Sequence, residues 1–107
     1  MKAEMNFDNI GGGGVLTAEV LGESPYNSGY DYTGTCNVGD LFIASFENSN
    51  SSTTASSLSG LTRLSRSIST APWSGRDISS ICEIYQATAT SVSISVAFGS
   101  IQKVSMS

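Results

Sequence analysis

"SVSISVAF", residues 91–98, decides the fold. Apolar and hydroxyl side chains alternate strictly, with Val92, Ile94, Val96 and Phe98 on one side and Ser91, Ser93 and Ser95 on the other. A period of two is the mark of a half-buried β-strand, because successive side chains leave a strand on opposite faces. The same period recurs in "VLTAEVLG" (15–22), where Leu16, Ala18 and Val20 oppose Thr17 and Glu19. In "YDYTGTCNV" (30–38), Tyr30 and Tyr32 share a face. Leu41 to Phe46, "LFIASF", is apolar on both sides and predicts a central strand, entered from a Gly39-Asp40 turn.

Further strands are expected over "LTRLSRSI" (61–68) and "SSICEIYQA" (79–87). In the second, Ile81 and Tyr85 compete with Cys82 and Ile84 for the inward face. Gly99 permits a turn, after which "IQKVSMS" (101–107) returns with Val104 and Met106 inward. Polar stretches separate these runs: "ESPYNSG" (23–29), "ENSNSSTTASSLSG" (47–60) and "STAPWSGRD" (69–77) read as loops. About seven short strands between turn signals predict an all-β fold, a single antiparallel β-sandwich of jelly-roll or Ig-like kind. Residues 15–107 form that domain. Residues 1–14 read as a flexible N-terminal arm, with Phe7 and Ile10 as anchors for assembly and Gly11 to Gly14 as hinge. The arm either crosses to a neighbouring subunit or is a disordered start.

Only 13% of the 107 residues are charged, about half the usual share, and Ser with Thr fill more than a quarter of the chain. The exterior is therefore polar through hydroxyls, which suits proteins packed side by side. A net charge of −4 with five basic residues argues against nucleic-acid binding, since phosphate neutralisation needs clustered Lys and Arg. No apolar run reaches the length of a membrane span. The start, "MKAEMNFDNI", lacks the apolar core of a secretory signal, so the chain is expected to act where it is made or to leave by lysis.

Chemistry-bearing patterns are sparse. The chain contains no histidine, the commonest general base and metal ligand. Cys36 and Cys82 match no zinc spacing and are read either as one bridge or as two thiols. Asp31 with Asp40, or Asp77 with Glu83, are the pairs nearest to a two-carboxylate arrangement. No nucleophile sits beside a base in sequence, and "GGGG" lacks the Lys-Ser/Thr of a phosphate loop. The expectation is a protein that is not an enzyme and takes no metal or cofactor. Tyr26, Tyr30, Tyr32 and Trp73, with Asn48 and Asn50 in the long polar loop, are the candidate binding surface. Exposed rings stack on sugars or anchor interfaces. The alternative is that they cap the ends of a thin sandwich.

The block "VGDLFIASF", a polar loop, "SLSGLTRL" and then "ICEIYQATATSVSISVAF" resembles a pattern in phage virion proteins, among them head-decoration, tail-fibre and receptor-binding domains. The matching positions are Gly39, Asp40, Gly60, Thr62, Leu64, Tyr85, Ala87 and Thr88. Leu61 stands where those proteins commonly carry Trp, and the Tyr85–Ala87 spacing is one residue shorter than theirs. The resemblance covers about residues 37–98 and implies a β-sandwich without catalytic residues, displayed on a virion. The partners so implied are a major capsid or tail protein and further copies in a homo-oligomer. Host-surface glycan is the partner expected of a receptor-binding module. In this reading the 47–60 loop projects from the sandwich end, where binding usually resides.

Overall fold

The computed structural model describes residues 2–6, 15–23 and 29–106. Among them run nine strands and no helix: β1 (Lys2–Asn6), β2 (Val15–Glu23), β3 (Gly29–Thr35), β4 (Leu41–Asn48), β5 (Ser56–Ser59), β6 (Leu61–Trp73), β7 (Arg76–Ala87), β8 (Ser91–Ala97) and β9 (Gly99–Met106). All pairings are antiparallel. One sheet has the order β1-β2-β9-β4-β7-β6 and the other β3-β8-β5. The two pack face to face as a sandwich, as the alternation predicts. Phe7 and Ile10 of the expected arm lie outside the described residues, whereas Lys2–Asn6 pairs with β2 as a strand.

The core lies between the sheets. Phe42, Ala44 and Phe46 of β4, Ile81, Tyr85 and Ala87 of β7, and Ile101 of β9 meet Val92, Ile94 and Val96 of β8, with Ala55 closing one side. Each large apolar side chain buried there stabilises the fold by about 1.5–3 kcal/mol. The competition within "SSICEIYQA" resolves toward Ile81 and Tyr85; Cys82 and Ile84 turn outward. Phe98 does not join its three predecessors. It takes a left-handed conformation (φ 58°) at the one-residue corner where the chain leaves β8 and enters the other sheet. Gly99 starts β9 so close to β4 that a Cβ would stand 2.1 Å from the Ser45 carbonyl oxygen.

The last strand also differs from expectation. Ile101 is the inward residue and Val104 pairs with Leu41 on the opposite face. The expected loop at 69–77 is instead the end of a long hairpin, with only Ser74 and Gly75 as its turn. Pro72 is tolerated because β6 is an edge strand and one side of it has no ladder to supply.

The 47–60 segment is likewise no free loop. β4 continues to Asn48, and residues 56–59 return as β5 against β8. Between them the chain is pinned by Glu83, which is fully buried on the inner face of β7. One oxygen of Glu83 accepts from the Ala55 N–H (2.9 Å) and the Tyr85 hydroxyl (2.7 Å). The other accepts from Arg63 at 3.0 Å and lies 3.0 Å from Arg66 Nε. Arg66 in turn donates to the carbonyls of Ser51 and Thr53. The Gly39-Asp40 motif has an equally local purpose. Gly39 supplies a positive φ of 98°, and the Asp40 carboxylate accepts from the Asn37 N–H at 3.0 Å. Gly39 and Asp40 are then clamped to the backbone of Ala87 on β7.

Candidate functional site on the outer face of the larger sheet

Directly paired residues of an antiparallel ladder share a face, so the register maps the larger sheet in rows. On the inner side one row reads Glu19–Lys103–Phe42–Tyr85–Arg63, and the next reads Gly22–Ile101–Ala44–Glu83–Arg66. On the outer side the rows are Ala18–Val104–Leu41–Gln86–Thr62 and Val20–Gln102–Ile43–Ile84–Ser65. The charges of these four rows all lie on the side facing the second sheet. The ten outward residues carry none, and six of them are aliphatic. Leu16, Ala18 and Val20 share a face, as their spacing predicts, but that face points away from the second sheet.

Beyond these rows comes Glu23–Ser100–Ser45–Cys82–Ser67. Two adjoining clefts open at this end, of about 400 and 490 Å³, and share Glu47, Ser80 and Phe98. The larger one runs under the hairpin tip. Trp73, 63% exposed, lines it together with Arg76, Ile78 and Asn48. An indole face, a guanidinium and an amide around one concavity can stack on and hydrogen-bond a polar ring.

The structure distributes the remaining candidates differently. Tyr30 donates to the Leu21 carbonyl at 3.0 Å and its ring lies over Gly22, beside a bulge in β2. Tyr32 packs on Phe42 with ring centres 6.1 Å apart. Burial first, then the charges on Cys36, Tyr30 and Glu19, push the Tyr32 phenol above its ordinary pKa. Both rings therefore sit at the core margin. Asn48 and Asn50 use their side-chain oxygens to hold the N–H groups of Asn50 and Ser52, each at 2.9 Å. Tyr26 lies outside the described residues. Of the candidates described, Trp73 and Asn48 are brought into one cleft.

Cys36 and Cys82 are both free thiols. Cys36 donates to the Ala89 carbonyl at 3.5 Å, and burial, followed by the nearby Asp40, pushes its thiol pKa up. Cys82 lies on the outer face between Ser45 and Ser67. Asp40 and Glu83, members of the two carboxylate pairs considered from sequence, are engaged in the turn and the loop anchor described above. Among the described residues no three His, Cys, Asp or Glu side chains gather to hold a metal ion. The apolar outer face escaped the sequence reading, although "LFIASF" signalled it by being apolar at both parities.

No protein-family model, no curated protein and no solved structure matches the chain.

Proposed function

We propose that the chain is a non-enzymatic structural protein of a phage particle, a small capsid-decoration or fibre-associated protein that docks on the virion. The observation that carries this reading is the outer face of the larger sheet, apolar and without charge through the two adjacent rows at the end where β4 begins. A sheet face left to water normally alternates toward polar residues. A contiguous apolar patch of this kind marks an interaction surface. The hydroxyl-rich, weakly charged exterior and the resemblance of residues 37–98 to virion proteins support the particle as the place of docking. The partner is then a major capsid or tail protein, and the protein resides in the virion.

Sedimentation of the purified chain with emptied heads, and separately with tails, tests this reading. Co-sedimentation with one of them, lost in Ile43→Lys, is the expected result. Failure to sediment with any virion component contradicts it.

A second reading, a carbohydrate- or receptor-binding module of a tail fibre, is favoured by the cleft shared by Trp73 and Asn48. Glycan binding that disappears in Trp73→Ala and survives in Ser91→Ala would select it, and silence across a glycan array would remove it.

A further inference from the structure

We infer that the cleft under the hairpin tip binds a sugar carrying an anionic group, with Arg76 as the residue that reads the charge. This rests on the carbohydrate-binding reading above and names its ligand class.

The ribbon that walls the cleft is the first argument. β4 ends at Asn48, opposite Ser79, while β6 and β7 run on together through the pairs Ala71–Ile78, Pro72–Asp77 and Trp73–Arg76. Trp73 and Arg76 are direct cross-strand partners, so their side chains leave one face of the ribbon with Cβ atoms about 5 Å apart. Ala71 and Ile78 lie two residues down that same face and give it an apolar floor. A sugar ring stacked on the indole therefore brings an acid group on its rim within reach of the guanidinium.

Availability is the second. Arg63 and Arg66 are both engaged with Glu83. Among the described residues, no ion pair or hydrogen bond takes up the Arg76 guanidinium, and Trp73 beside it is exposed. Asp77, next in sequence, leaves the ribbon on the opposite face. Glu47 lines the cleft without an ion pair to Arg76, and with Asn48 and Ser80 it offers partners for sugar hydroxyls. The net charge of −4 does not exclude an acid, because exposed charges farther than about 8 Å away are largely screened at physiological salt. A guanidinium fork on carboxylate or phosphate makes hydrogen bonds about twice as strong as those between neutral groups.

Position is the third. The cleft, about 490 Å³, has the size of a small-ligand site. Arg76 stands eight residues along β7 from Ile84, roughly 26 Å, so docking through the rows of Leu41 and Ile43 leaves the cleft open.

Trp73 is the one tryptophan of the chain, so its fluorescence reports the cleft directly. The test is titration of the full chain, at constant ionic strength, with glucose, glucuronate and glucose 6-phosphate up to about 50 mM, and with the same three of the galacto series. At least one acid is expected to bind about tenfold or more tighter than its neutral parent, and its identity, uronate or phosphate, names the anionic group. The preference should shrink below about twofold in Arg76→Ala, survive in part in Arg76→Lys and weaken in high salt. A neutral sugar bound as tightly as its acids, or a preference intact in Arg76→Ala, overturns the inference and leaves the carbohydrate reading standing. A chain that binds none of the six overturns it as well, and the glycan array then decides the carbohydrate reading alone.

Discussion

Glu83 concentrates more of the structure in one side chain than any other described residue. It is fully buried, yet it joins β7 to β6 through Arg63 and Arg66 and to the 49–55 loop through the Ala55 N–H. Removing it leaves two guanidinium groups without their partner and a buried N–H without an acceptor. Arg63 is 46% and Arg66 21% exposed, so water compensates part of that loss. Glu83→Ala is therefore expected to lower stability by about 3 kcal/mol, the low end for a broken buried pair, as read from urea unfolding. Glu83→Gln should lose less, because it keeps an acceptor for Ala55. The neighbouring Tyr85 phenol is pushed well above its ordinary pKa by burial, then by its hydrogen bond to Glu83 and that group's charge, while Arg63 pulls the other way. The folded chain thus holds the phenol neutral where the unfolded chain ionises it near 10.0. Its contribution is complete below about pH 10 and is lost as pH rises above that value. The thermal midpoint should be level in this respect from pH 8 to 9, then fall through pH 11, with a shallower fall in Tyr85→Phe. A midpoint unchanged to pH 11.5 would contradict the assignment.

At the scale of elements, the β6–β7 hairpin is the clearest case of a strand pair hidden by composition. Ser74 and Gly75 both have positive φ, 50° and 82°, which marks the two-residue turn that matches strand twist. Asn-Gly is the preferred pair there, so Ser74→Asn should raise the urea midpoint slightly. Gly75→Ala should lower stability by about 1 kcal/mol, since an L side chain is strained at that φ. Pro72 and the serines obscured this hairpin because an edge strand obeys weaker rules than a central one. Where both faces had distinct demands, as in β8, alternation alone placed Val92, Ile94 and Val96 correctly. Period two reveals that a strand has two faces, and is silent on which of them meets the core. That is why Val104 and the Leu16–Ala18–Val20 set were legible as faces and illegible as directions. The anchoring of the 49–55 loop joins residues 28 apart in sequence, Ala55 and Glu83, and carries no local pattern. A lone glutamate inside "ICEIY", facing two arginines in "RLSR", was the available sign of a buried charge. The candidate site was legible in part: Trp73 and Asn48 were named from composition, but their meeting in one cleft depends on the hairpin curling past the end of β4.

On the scale of the whole molecule, one end of the larger sheet is turned inside out with respect to charge. Glu19, Lys103, Arg63, Glu83 and Arg66 lie on the side of the second sheet, while the outer side of the rows through Leu41 and Ile43 is aliphatic, amide and hydroxyl. Such an arrangement wastes stability in an isolated monomer and makes sense for a chain whose outer face is covered while it works. Cys82 reports on that cover, because its thiol stands on the outer face one row from Ile43 and Ile84. The most direct measurement is the alkylation rate of Cys82 in a Cys36→Ser chain, first alone at high dilution and then with the virion component proposed as its partner. A fall of at least about tenfold on assembly is predicted, following the solvent access of the thiol. An equal rate in both states would contradict the claim that this face is where the protein makes its contacts.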